Sequence, residues 1–178
     1  STLNISNSGV LSFVNPPDFE TKALYEVTVT VVDSNGNTVS QAITITITDA
    51  NDNAPVITSS SAFSADENQS VIGTVVASSP LSAALTFTLS GTDAAALTIS
   101  TDGVLAFVAV PDFEVKASYS ATIVVSDGTN ETSSAITVSI VNLNDSLPVI
   151  TSASEFTVQE NSKSVGTITA TDADNLDT

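Results

Sequence analysis

Cysteine, histidine, methionine, tryptophan and arginine are all missing from the 178 residues, and lysine occurs only at Lys22, Lys116 and Lys163. Without cysteine there is no disulfide framework, no thiol nucleophile and no soft-metal site; without histidine the commonest zinc ligand and catalytic base are gone too. A small secreted domain stapled by disulfides is therefore excluded. Three lysines against 20 acidic residues leave a net charge of −17, which repels nucleic acid and anionic lipid and favours cations. Residues 1–12 lack a basic start followed by an apolar run, so no signal peptide opens the chain, and it reads as a piece of a longer protein. Residues 69–92 carry no charge, but Ser, Thr, Gly and Pro interrupt them. A spanning helix needs about 18 mostly apolar residues, so direct membrane insertion is excluded.

What is present is repetition. GVLSFVNPPDFETKALYEVTVTVVD from Gly9 aligns with GVLAFVAVPDFEVKASYSATIVVSD from Gly103 at an offset of 94. One residue is lost in the following loop, and DANDNAPVITS from Asp49 then aligns with NLNDSLPVITS from Asn142 at an offset of 93. Glu67-Asn68 and Gly73 meet Glu160-Asn161 and Gly166 at the same offset. A period of this length marks tandem modules. We expect the C-terminal part of one module at 1–53, a complete module at 54–146 and the N-terminal part of a further module at 147–178.

Within each unit the apolar period is two. Tyr25, Val27, Val29 and Val31 alternate with polar residues, as do Ile43, Ile45 and Ile47; Tyr119, Ala121, Ile123 and Val125, then Ile136, Val138 and Ile140, repeat the pattern. These are half-buried strands. SNGN at 34–37 and DGTN at 127–130 supply turn chemistry between paired strands. The complete module offers about seven strands: around Phe63, then 71–77, 85–89, 97–100, 104–108, 119–126 and 135–141, the count of an immunoglobulin-like sandwich. No capped amphipathic helix is present. The expected fold class is all-β: tandem immunoglobulin-like Greek-key β-sandwich modules.

Acidic and amide residues gather where modules meet. Asp49, Asn51, Asp52 and Asn53 precede Pro55, which favours an extended entry into the next strand. Calcium takes 6 to 8 oxygen ligands from carboxylates, amides, carbonyls and water, all of which this stretch offers. Two carboxylates 4 Å apart repel by about 1 kcal/mol in water and about 4 kcal/mol at an effective dielectric constant of 20. A divalent ion reverses that sign and should stiffen the joint.

DANDNAPVI resembles the inter-module signature of the cadherin family. The acid-Asn pairs Glu67-Asn68 and Glu160-Asn161, PDFE with a tyrosine five residues on, Asp172-Ala173-Asp174, and the turn aspartates Asp33 and Asp127 are similar to further motifs of that family. The resemblance covers essentially the whole chain and implies cadherin-like modules joined through calcium. It implies, for the first joint, Asp18, Glu20, Asp49, Asn51, Asp52 and Asn53 with Asp127. For the second it implies Glu67, Asp112, Glu114, Asn142, Asn144, Asp145, Asp172 and Asp174, with a carbonyl from Ser146. Asp33 would serve a joint outside the chain. Where the central module should carry Asp-x-Asp, the sequence has Ser79-Pro80-Leu81, so the first joint is depleted; Asn142 and Ser146 lower the charge of the second, which remains the better site.

Each feature also has a blander explanation. Asp and Asn crowd into ordinary turns; Tyr25 and Tyr119 read as core or corner residues; Lys22 and Lys116 read as solvated. Phe19 and Phe113 should face the core while their acidic neighbours point outward. DADNLD lacks the glycine that a helix-loop-helix calcium loop requires at its sixth position. Asp112 with Glu114 is formally a glycosidase-like pair, yet it recurs as Asp18 with Glu20 beside module ends, so the chain is read as not an enzyme. The leading expectation is a calcium-binding repeat of a large extracellular adhesin on a bacterial cell surface, whose partners are Ca2+ and other surface proteins or like modules, homophilic or heterophilic. The alternatives are a carbohydrate-binding module contacting polysaccharide, weakened by only nine aromatics, and a calcium-independent spacer or filament-forming subunit.

Overall fold

A computed structural model describes residues 2–174. The chain forms two compact units that divide between Asp52 and Asn53. In the first unit, β1 (Leu3–Ile5) and β2 (Leu11–Phe13) form one antiparallel pair, and β3 (Leu24–Val32) and β4 (Thr38–Thr46) form another. The β3–β4 turn is organised by Asp33, whose Oδ1 accepts the amides of Asn35 and Asn37, both at 2.8 Å. These bonds hold the Asp33 carboxyl below its ordinary range, the Asn37 side chain contributing most.

The second unit contains β5 (Val56–Ile57), β6 (Ala62–Asp66), β7 (Val71–Thr74), β8 (Ala77–Ser78), β9 (Thr86–Ser90), β10 (Leu97–Ile99), β11 (Val104–Phe107), β12 (Ser118–Ser126), β13 (Glu131–Val141), β14 (Val149–Ile150) and β15 (Ala170–Thr171). One sheet has the order β6-β13-β12-β9 and the other β10-β11-β7; β5 pairs with β8 and β14 with β15. β12 and β13 are antiparallel, whereas β6 runs parallel to β13 from Ala62 beside Thr137 to Asp66 beside Val141. The inner faces enclose one core of Ala65, Val75, Leu97, Leu105, Phe107, Ala121, Ile123, Val125, Ile136, Val138 and Ile140. This is the immunoglobulin-like β-sandwich expected from the alternation, with inward apolar and outward polar positions on each strand. The only helical turn among the described residues is a short 3-10 segment at Ala94–Ala96.

The strand expected over 71–77 is two strands. The chain leaves β11 at Val75, whose amide donates to the Gly103 carbonyl at 2.8 Å, and by Val76 it faces β5, accepting the Thr58 amide at 2.8 Å. Gly103 (φ +78°) permits this crossing, because a Cβ there would stand 2.3 Å from the Val75 carbonyl oxygen.

The repeat is exact in register. β1 and β2 pair Leu3 with Phe13, as β10 and β11 pair Leu97 with Phe107. β3 and β4 pair Leu24 with Thr46, as β12 and β13 pair Ser118 with Ser139. Tyr25 and Tyr119 pack edge-on against Phe13 and Phe107, at centroid distances of 4.9 and 5.0 Å. Lys22 and Lys116 each place the ammonium 4.7 Å over the tyrosine ring of their own repeat, and Lys116 also pairs with Asp93. These lysines are engaged rather than merely solvated. Among the described residues no helix is long and apolar enough to cross a membrane.

Candidate metal centre

The C-terminal end of β13 is where the acidic groups of the second unit converge. Glu67 follows β6 directly, and its amide donates to the Val141 carbonyl at 3.2 Å, so the parallel pairing carries this side chain to the edge of the 142–146 segment. Its carboxylate is 1% exposed. Oε2 accepts the Phe113 amide at 2.8 Å and Oε1 accepts the Leu143 amide at 2.7 Å. Glu67 thereby ties two loops to β6 before any ligand is considered.

The 111–116 loop is held by a second tie, the Asn68 amide donating to the Pro111 carbonyl at 3.0 Å. Asn68 sits at φ 63°, a left-handed conformation that asparagine tolerates. Phe113 packs against the core while Asp112 and Glu114 on either side are exposed, the alternation expected from the sequence. Asp112 Oδ1 accepts the Val115 amide at 3.1 Å.

The loop after β15 contributes Asp174, which is 1% exposed. Its Oδ2 accepts the Ser146 amide at 2.8 Å, its carbonyl accepts Asn142 Nδ2 at 2.9 Å, and its own amide donates to Asp172 Oδ1 at 3.0 Å. Asp174 Oδ1 and Asn142 Oδ1 are buried and receive no hydrogen bond. A buried acceptor with no donor costs free energy, roughly 1–3 kcal/mol and more when charged.

Carboxylate oxygens of Glu67, Asp112 and Glu114 lie within 4.8 Å of one another, and so do those of Glu114, Asp145 and Asp174. The two triads share Glu114. Its carboxyl is pushed above its ordinary value by desolvation, with the charges of Glu67, Asp174 and Asp112 adding to the shift. Asn68 Nδ2 donates to Asp145 Oδ2, a neutral contact that leaves the charge uncompensated.

The structure thus brings together Glu67, Asp112, Glu114, Asp145 and Asp174, with Asn142 against Asp174. Asp172 orients the Asp174 amide, and Asn144 lies exposed in the same segment. Ser146 contributes its amide to Asp174. Asn68 is the participant that residue reasoning did not place; its signal was the recurrence of the acid-Asn pair.

In the first unit, Asp18 Oδ1 accepts the Glu20 amide at 3.0 Å and Oδ2 accepts the Thr21 hydroxyl at 2.7 Å. The Thr21 and Glu20 contacts hold Asp18 below its ordinary range. For Glu20 a contact with its own backbone pulls downward, but partial burial, sharing with Asp18 and the charges of Asp49 and Asp52 leave its carboxyl raised. Asp49 Oδ1 is buried without a hydrogen bond, and Asn51 is half-buried in the same segment. Asn53 and Asp127 belong to the second unit. Asp127 Oδ1 accepts the amides of Thr129 and Asn130 at 2.9 and 2.7 Å. Where the segment after β15 has Asp172 and Asp174, the one after β8 has Ser79 and Leu81, in a turn closed by the Ser82 amide on the Ser79 carbonyl at 3.1 Å.

An all-oxygen donor set of carboxylates and amide carbonyls, with orphaned buried oxygens at its centre, fits a hard divalent cation of calcium's type. The comparisons with known proteins bear on the fold. A family described as bacterial Ig domain matches residues 51–141. The chain is similar in structure to a protocadherin gammaB7 EC3-6 cis-dimer structure (TM-score 0.80, 21% identity, covering 97% of this chain and 50% of that one). It is also similar to protocadherin gamma B2 extracellular cadherin domains 3-6 (0.75, 22%, 96% and 48%) and to mouse protocadherin-24 EC1-3 (0.72, 21%, 98% and 64%). The chain spans about half the length of the first two. No curated protein matches the sequence.

Proposed function

From a chain that belongs to the bacterial Ig domain family, and whose fold is that of cadherin repeats, we propose a calcium-binding repeat of a large extracellular adhesin. Calcium at the ends of its modules stiffens an array that spaces or joins cell surfaces. The carrying observation is Asp174: a buried carboxylate with one unpartnered oxygen, placed among Glu114 and Asp145 and linked through Glu114 to Asp112 and Glu67. Five carboxylates at this spacing repel one another without a cation.

The residues that would hold the ion are Glu67, Asp112, Glu114, Asp145 and Asp174, with Asn142 offering its amide oxygen and Asn144 and Asp172 standing beside them. Calcium supplies charge neutralisation and cross-linking of the 111–116, 142–146 and 172–174 segments, and no catalytic chemistry. The chain's own part is already built: Glu67 fixes two of these segments through their amides, and Ser146 and Asn142 fix the third. Within the first unit, Asp18, Glu20, Asp49, Asn51 and Asp52 make a poorer set and are read as a weaker site. The modules divide at 1–53, 54–146 and 147–178, the location is a bacterial cell surface, and the partners are like modules or other surface proteins.

Thermal melting with millimolar calcium and then with excess chelator tests the reading. A midpoint that does not move between the two would sink it.

A further inference from the structure

Positive charge is scarce in this chain, and its placement repeats. Two of the three lysines, Lys22 and Lys116, stand two residues after the glutamate of PDFE and three before the tyrosine that follows. In each repeat the lysine amide donates to the carbonyl of the aspartate four residues back, Lys22 to Asp18 and Lys116 to Asp112, both at 2.9 Å. Each ammonium then turns to its tyrosine, 4.7 Å from the ring centroid. The positive charge nearest in sequence to Asp112 and Glu114 is therefore directed at an aromatic ring.

Electrostatics alone would put such a lysine among the carboxylates. It carries its charge on a flexible four-carbon stem, Glu114 is two residues away, and Glu114 is shared by both carboxylate triads. An ammonium there would relieve their mutual repulsion. Yet among the described residues no ion pair joins a lysine to that cluster; Lys116 pairs with Asp93 instead. Burial raises the Glu114 carboxyl, and the charges that add to the shift are those of Glu67, Asp174 and Asp112, all of one sign.

Asp93 is built to hold that lysine. It precedes the 3-10 turn at Ala94–Ala96 and is fixed to β12 twice: its amide donates to the Ser120 carbonyl at 3.0 Å, and its Oδ2 accepts the Ser120 amide at 2.8 Å. Oδ1 remains for the Lys116 ammonium. The Asp93 side chain is 13% exposed and that of Lys116 42%, so the anion is set into the fold and the lysine lies upon it, against a Tyr119 ring that Phe107 packs edge-on. We infer that Asp93 and Tyr119 hold Lys116 away from the acidic cluster, so that its carboxylates stay open to a divalent cation and are not neutralised from within the chain. The inference rests on the proposed calcium site. Released from Asp93, Lys116 competes with calcium for Glu114 and Asp112.

Asp93→Asn provides the test, because its amide oxygen can still accept the Ser120 amide while the charge that holds Lys116 is gone. Calcium titration calorimetry is run at about 0.15 M salt, where charges more than about 8 Å apart are largely screened. Asp93→Asn should weaken calcium affinity about threefold to fivefold, the strength of one exposed ion pair. Lys116→Met should bind at least as tightly as the parent, and adding Asp93→Asn to Lys116→Met should change nothing further. A second readout needs no calcium: in chelator, the Lys116 ε-methylene protons should be shifted upfield by the Tyr119 ring in the parent and should return towards their ordinary position in Asp93→Asn. If Lys116→Met weakens binding as much as Asp93→Asn, the ion pair is only structural; if Asp93→Asn acts equally with and without Lys116, the general field of the chain is responsible. Either result overturns the inference, as does a ring shift that persists in Asp93→Asn. A parent that shows the ring shift but binds no calcium overturns the calcium reading itself, and this inference with it.

Discussion

The Asp174 carboxylate takes the Ser146 amide on Oδ2 at 2.8 Å while its equally buried Oδ1 takes none. One oxygen positions the side chain and the other is held open, which is how a protein pre-arranges a ligand atom. If calcium fills that role with a dissociation constant of about 0.1–1 mM, tenfold to hundredfold excess should add about 1.4–2.7 kcal/mol of stability. Asp174→Asn keeps the size and removes the charge. Calcium titrations followed by calorimetric melting should show most of the increment gone in that variant.

Glu67 should behave differently, because both of its oxygens are committed to backbone amides. Glu67→Ala strands the Phe113 and Leu143 amides and should cost about 3 kcal/mol even in chelator. Glu67→Gln, which keeps one acceptor, should cost less than half of that. Urea unfolding in chelator separates the two variants, and Asp174→Asn under the same conditions should be no less stable than the parent.

Acid should act in opposite directions with and without calcium. The carboxyls of Glu114 and Glu20 are raised above the ordinary 4.5, so the native state holds those protons more tightly than the unfolded chain. Their contribution is fully present below 4.5 and is lost as pH climbs through the raised values. Asp18, Asp33 and Asp93 are lowered from 3.8; their contribution is present above 3.8 and is lost as pH falls through the lowered values. In chelator, melting points should therefore rise as pH falls through the raised values towards 4.5, and fall once it drops below 3.8 through the lowered ones. In calcium the metal-dependent increment should shrink over the same first interval, as Glu114 takes up a proton.

The repeat provides its own control for core packing. Leu105 is 0% exposed in the central repeat, whereas its counterpart Leu11 is half-buried. Leu105→Ala should cost about 3 kcal/mol and Leu11→Ala about 1 kcal/mol. Hydrogen exchange resolves the two: the first change should speed exchange across β12 and β13 about a hundredfold, the second should alter β3 and β4 by less than tenfold.

Most of this fold was legible because alternation and recurrence spoke together. Tyr25 to Val31 and Tyr119 to Val125 read as strands on period alone, and the offset placed them in the same structural position. The break between β7 and β8 was not legible: Val75 and Val76 are both β-branched and continue the strand pattern, and only the Gly103 carbonyl and the Thr58 amide separate them. At the candidate site, the acidic positions followed from the resemblance of their motifs to those of a known family. The division of labour did not. Glu67 as a tie between loops and Ser146 as an amide donor depend on which oxygen meets which backbone group, a distinction that residue type does not carry.

The parallel placement of β6 against β13 also has a mechanical consequence. These are the first and last long strands of the central repeat, and they run side by side from Ala62 and Thr137 to Asp66 and Val141. Tension on the two ends of the repeat would drag them past each other along their length. Their hydrogen bonds must then give way together in shear, whereas an antiparallel pair pulled from one end would unzip bond by bond. A repeat wired this way yields late and abruptly when stretched, a useful property in a tether between surfaces that are being pulled apart.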